Sequence, residues 1–416
     1  AEGSLQKALE IDPKSLRNHQ VIINYYLENR QFEKAENRLT EMAAGFPHSS
    51  WPLLRLASLY MSREQYSQAE KTLQEALKRE PKNEKLHQAL ADFYQEQGAQ
   101  EKAENAYLQA IEVSPHPADS RALLADFYFE REQFDLARQQ VEQILAEKQG
   151  HRQANLLKAK LLYAGGKHEE ALEKLAYLLK EDPRWGEALY VQAAVFLAKG
   201  ERELSMRAVT EAVKYAPENS AARALLARHH LLQKEYDSAQ QEAVAALKLQ
   251  PGNFKAALIL GQSFLQAGQL DQALKVFDQM QKLAPNNIKV LHNKGMTLLA
   301  QQRDDEARKM FEEILDLDPQ NTSALASLAA SYFREQRKQK ALRRIEVQIA
   351  RTPDYVGHRL LLATLLFREN ALDRALEQFL EIQKRAPEMP QPYVMIARLK
   401  EKRGKTREAI AEYRNL

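Results

Sequence analysis

Two consecutive stretches decide the fold: SWPLLRLASLYMSREQYSQAEKTLQEALKREPKN at 50–83 and EKLHQALADFYQEQGAQEKAENAYLQAIEVSPHP at 84–117. Laid one under the other, they set Ala57 over Ala91, Tyr60 over Tyr94, Ala69 over Ala103 and Pro81 over Pro115, each 34 residues apart. The register runs outward in both directions. Pro13, Pro47, Pro183, Pro217, Pro251, Pro285, Pro319, Pro353 and Pro387 keep the proline slot, and only Gln149 leaves it empty. Twelve residues before each slot stands alanine, from Ala1 and Ala35 to Ala409, with Ser205 the one departure. Ten residues after each slot stands a second small residue, which is Gly261 and Gly295 in two units and is replaced only by Ile23. A fixed period of this length predicts a repeat array in which each unit is stabilised by its neighbours.

The columns between the small residues dictate the unit. Tyr26, Tyr60, Tyr94, Tyr128, Phe196, Phe264 and Tyr332 follow the second small residue by three positions. Leu39, Leu73, Tyr107, Val141, Leu175, Phe277, Phe311 and Phe379 follow the alanine by four. Such steps trace an apolar stripe on each of two helices. Gly98, Gly166, Gly200, Gly268 and Gly404 share one slot between the stripes, where a helix end calls for positive φ. Proline closes the second helix, since it cannot continue one. The unit is therefore helix–turn–helix.

These columns resemble the tetratricopeptide repeat, with small residues at repeat positions eight and twenty, aromatics near eleven and twenty-four, and proline at thirty-two. The resemblance implies an all-α protein, an α-solenoid of helix–turn–helix repeats wound into a right-handed superhelix. It spans 1–416 as a single array. Residues 1–15 end a preceding repeat, eleven complete repeats fill 16–389, and 390–416 are a repeat cut short. Repeats one to eleven begin at residues 16, 50, 84, 118, 152, 186, 220, 254, 288, 322 and 356. Because Ala1 and Leu416 both fall inside a second helix, without the polar caps arrays need, the sequence reads as an excerpt of a longer protein. The junction at 146–152, where Gln149 takes the proline slot, Gly150 follows and Lys158 replaces the usual leucine, is expected to be the least regular in the array and locally softer.

Composition narrows the function. The chain has no cysteine, which excludes disulfides, thiolate metal sites and thiol catalysis. Its net charge is only +3, but residues 331–416 carry 19 Lys/Arg against 11 Asp/Glu. No apolar run approaches the roughly 18 residues that span a bilayer. Gly404-Lys405-Thr406 imitates the end of a phosphate-binding loop, but Leu399 stands where its first glycine belongs. His229 and His230 are adjacent and point to different sides of a helix, so they cannot chelate together, and His230 reads as a core residue of the aromatic column. Asn321-Thr322-Ser323 is a formal glycosylation sequon. The expectation is a protein with no catalytic residues, no metal site and no cofactor.

Tetratricopeptide arrays line a concave groove with the first helix of each repeat, which implies a protein or extended-peptide partner and no nucleic acid. The candidate contact residues carried over by position are Asp92, Asp126, Lys160 and Arg228 at position nine, Tyr163, Phe333 and Phe367 at twelve, and Tyr190 and Leu360 at five. Position five is never lysine, so the family's carboxylate clamp for chaperone tails is missing, and only Asn24 holds position nine, so an asparagine ladder is missing too. The energetic centre is expected at Phe333 and Phe367, with Arg334, Arg337, Lys338 and Arg368 steering an acidic partner. The long, cysteine-free array is similar in style to bacterial scaffolds of exopolysaccharide export and the cell envelope, which favours the periplasm or envelope over the cytoplasm. The alternative is the recruiting arm of a larger enzyme, such as a glycosyltransferase, with its catalytic domain outside 1–416.

Overall fold

Each repeat forms two helices because its two apolar stripes are separated by a turn that a helix cannot cross. In the computed structural model, which describes residues 2–13 and 15–414, repeat two folds as Trp51–Ser62 and Tyr66–Arg79, and repeat three as Glu84–Glu96 and Gln100–Val113. The described residues hold 25 helices and no strand, an all-α solenoid of tetratricopeptide-type pairs. Ala1, where the alanine column begins, and Leu416 lie outside the described residues.

The turn between paired helices is left-handed in every repeat, not only where glycine marks it. Gly98, Gly166, Gly200, Gly268 and Gly404 have φ of 69–82°. At the same position Arg30, Glu64, Glu132, Lys234, Gln302, Gln336 and Asn370 hold φ of 56–63°. The following N–H returns to the aromatic column, as from Ala99 to the Tyr94 carbonyl (2.9 Å) and from Gln133 to that of Tyr128 (3.0 Å). This 6→1 closure satisfies carbonyls that the helix end leaves bare.

The Gln149 junction is as regular as its neighbours, contrary to the expectation from the missing proline. Helix Phe134–Glu147 stops on schedule and Arg152–Ala164 begins after four intervening residues, the same spacing as at Arg79 and Glu84. Lys148 has φ −139° and ψ 84°, matching Asp182 (−137°, 89°) before Pro183. Buried Asn155 donates to the Gln149 carbonyl at 2.8 Å. The rings of His19 and His87 and the side chains of Arg223 and Tyr393 reach the proline carbonyl in the same way elsewhere. The same bond thus holds this junction with or without proline in the slot.

Chain contacts cluster into two compact units, Ala1–Glu201 and Arg202–Leu416, with the boundary at the turn inside repeat six. Within each unit helices touch their chain neighbours. The first helices of repeats four to six also approach one another, as do those of repeats seven to eleven, while the second helices make no comparable approach. The first helices thus form the inner, tighter row of each unit. The aromatic column ties repeats together: the hydroxyls of Tyr60, Tyr94 and Tyr128 donate to Glu36, Glu70 and Glu104 of the preceding repeat at 3.0, 2.8 and 2.6 Å. In the second unit Arg308 takes the glutamate's place and its guanidinium lies 4.8 Å from the Tyr332 ring centre.

Candidate functional site

The inner row of the first unit brings five of the expected contact residues into one region. Lys160, on helix Arg152–Ala164, donates to Glu187 Oε1 at 2.8 Å and Asp126 Oδ1 at 3.3 Å, bridging three successive repeats. Its ammonium is 5.9 Å from the Phe129 ring centre. Burial works against its charge, but Asp126 and Glu187 outweigh it and hold the ammonium above the ordinary lysine value. Two repeats back, the Tyr107 hydroxyl donates to Asp92 at 2.7 Å and lies 3.0 Å from Gln95 Oε1, while the Gln95 amide donates to Glu130 at 2.7 Å. Desolvation and the nearby charge of Asp126 push the Glu130 carboxyl up. Tyr190 and Tyr163 are half-buried beside this network, and burial raises the Tyr190 phenol against the pull of Lys160.

Asp92, Asp126, Lys160, Tyr163 and Tyr190 therefore belong to one surface. Glu130, Glu187 and Tyr107 complete it and were not among the sequence candidates. Tyr107 had a visible signal, since among the eleven complete repeats it is the one hydroxyl in a column otherwise Leu, Val, Ile, Ala or Phe. Glu187 sits at position two, a groove position of the family.

The remaining candidates lie in the second unit. Arg228 is exposed on helix Ser220–Leu232. Phe333, Leu360 and Phe367 are half-buried and packed against the core, and Lys402 Nζ lies 4.7 Å from the Phe367 ring centre. Three of the four bases named around them are committed to neighbours. Arg334 pairs with Asp304 and donates to the Leu299 carbonyl, Arg337 pairs with Glu335, and Lys338 pairs with Glu369. The histidine pair also differs from expectation: His229 is the buried one at 3% exposure, its ring 2.8 Å from Ser205 Oγ, while His230 turns to Glu235 at 2.6 Å. Ser205 departs from the alanine column because it faces this ring.

Among the described residues no group of three His, Asp or Glu side chains could hold a metal ion, and no helix is long and apolar enough to cross a membrane. A helical-pair array with a varied inner row defines a repeat scaffold of the kind that binds other proteins. Models of the tetratricopeptide repeat match residues 26–93, 94–161, 190–243, 230–295 and 288–321, together more than half the chain. The chain belongs to the tetratricopeptide repeat family. No curated protein sequence matches it. Among solved structures it is similar to the anaphase-promoting complex hetero-tetramer Cut9-Hcn1, at 13% identity and TM-score 0.46, covering 96% of this chain and 92% of that one. It is also similar to a tetratricopeptide repeat protein from Parabacteroides merdae, at 19% identity and TM-score 0.49, over 60% of this chain and 98% of the other. A monomeric mutant of IFIT1 with m7Gppp-AAAA matches at 15% identity and TM-score 0.43, over 80% and 90%.

Proposed function

We propose that the chain is a non-catalytic scaffold that holds an extended segment of a partner protein along its inner row, seated in the first unit on Asp92, Asp126, Lys160, Tyr163 and Tyr190. One observation carries this reading: polar and aromatic side chains from four successive repeats converge there, with Asp126, Lys160, Tyr163 and Tyr190 half-buried and Asp92 exposed, joined by hydrogen bonds through Lys160 and Tyr107. A preorganised surface binds without first ordering its own side chains. Asp92, Asp126, Glu130 and Glu187 outnumber Lys160, so the complementary segment is basic, with apolar residues for Tyr163 and Tyr190. The setting we propose, a bacterial envelope or exopolysaccharide-export assembly, draws on the style of the array, and the genes flanking this one test it.

Panning a displayed peptide library on the full chain tests the binding reading. Selected peptides should carry Lys or Arg beside apolar residues. They should bind Tyr190→Ala at least tenfold more weakly, in line with loss of one anchor at a hot spot, and Lys71→Ala on an exposed second-helix face unchanged. Equal affinity for both variants rules out this surface.

A further inference from the structure

The structure assigns a second docking site to the cleft between repeats four and five, away from the inner row, and gives it an acidic peptide segment as occupant; we propose this as a partner contact independent of the first. Position seven of the repeat is aliphatic in most repeats and buried at Leu56, Leu124, Leu226, Leu260, Leu328 and Leu362, with Gln192 and Lys294 the other polar residues in the column. In repeat five it is Lys158, which is exposed and lines a cleft of about 730 Å³ with Lys174, Asn155 and Tyr177. A comparison within the chain shows what is unusual. Lys294 stands at the same position of repeat nine, where Asp278 at 2.7 Å and Gln281 at 2.8 Å from the preceding repeat hold it down. The matching residues before Lys158 are Glu142 and Leu145; Glu142 lines the cleft but makes no ion pair with it, and Leu145 offers none.

Three features specify the occupant. Lys158 and Lys174 offer two cations without carboxylate partners among the described residues, which suits a carboxylate. Asn155 is 4% exposed; its amide nitrogen is used on the Gln149 and His151 carbonyls, and its Oδ1 is left as an acceptor for an N–H. Tyr177 is 55% exposed and offers a ring for an apolar neighbour. A peptide supplies carboxylate, backbone N–H and side chain together, whereas inorganic phosphate supplies only the anion.

Labelled hexaglutamate and inorganic phosphate, titrated separately into the full chain at low salt, test the assignment. Hexaglutamate should bind wild type, and Lys158→Leu, which restores the residue of the column, should weaken it at least tenfold with no loss of thermal stability. Glu142→Gln should tighten it severalfold, while Lys294→Leu and the inner-row variant Tyr190→Ala should leave it unchanged. Unaltered binding by Lys158→Leu, absence of binding to wild type, or phosphate competing as strongly as the peptide would each overturn the proposal.

Discussion

Gly261 and Gly295 stand in a column filled by alanine in every other repeat but the first, which has Ile23, because each faces a phenylalanine of its own repeat. A Cβ on Gly261 would lie 2.6 Å from the Phe277 ring, and one on Gly295 2.7 Å from that of Phe311. In a helix interior Gly→Ala ordinarily stabilises by about 1 kcal/mol. Here the sign should reverse: Gly261→Ala is expected to destabilise by about 1–3 kcal/mol through overpacking, read as a lower urea midpoint. Ala363 faces Phe379 across the same two positions, so the clash can be relieved by a shift rather than by unfolding. Ser205 and His229 form a second coupled pair. Ser205→Ala should cost about 1–3 kcal/mol by leaving the buried ring a partner short, and adding His229→Leu should recover much of that loss. The pH dependence follows from the same ring. Desolvation holds His229, His292 and His358 below the ordinary histidine value of 6.5. The unfolded chain then binds more protons than the folded one, so their contribution is complete above about pH 6.5 and is lost as pH falls through the lower folded values. All three lie in Arg202–Leu416, so amides there should lose hydrogen-exchange protection between pH 7 and 5 less steeply in the Ser205→Ala/His229→Leu variant. The small-residue columns were legible in the sequence. Their exceptions were visible as exceptions, but their causes were not, since each depends on a residue 16 or 24 positions away that only packing brings near.

At the scale of the element, the proline register predicted where second helices end, and the glycines predicted five of the turns. The other seven turns adopt the same left-handed residue without glycine, because the aromatic-column carbonyl and the following N–H close the turn whatever side chain sits there. A non-glycine residue in that conformation costs about 1–2 kcal/mol, part of which glycine gives back through the freedom of the unfolded chain. Lys234→Gly is therefore expected to stabilise by roughly 0.5–1 kcal/mol, measured by urea unfolding. The Gln149 junction makes the complementary case. Lys148 already has the extended backbone that precedes proline elsewhere, so Gln149→Pro should be neutral or stabilising by up to about 1 kcal/mol. The sequence pointed to this junction as irregular because the terminator was missing; that Lys148 keeps the extended backbone and Asn155 the bond found beside proline elsewhere was not readable from spacing alone.

For the whole molecule, the repeat pattern carries the fold, and the individual departures from it carry the chemistry. The apolar columns recur in each repeat and so reveal the architecture, whereas the inner row varies from repeat to repeat and has no period to read. Family positions still placed Asp92, Asp126, Lys160, Tyr163 and Tyr190 on that row, and the structure joins them with Glu130 and Glu187. Phe333 and Phe367 pack against the core, and most of the bases beside them are paired, so the double change to alanine should lower stability more than affinity for a peptide bound to the first unit. The absence of cysteine allows a direct test of where a partner lies. Ala194, which continues the column of Asp126 and Lys160, and Gln74, exposed on a second helix, can each be changed to cysteine and given the same photocrosslinker. Peptides selected on the wild-type chain should form adducts from Ala194→Cys and not from Gln74→Cys. Equal yields from the two positions, or adducts from Gln74→Cys alone, would contradict binding along the inner row.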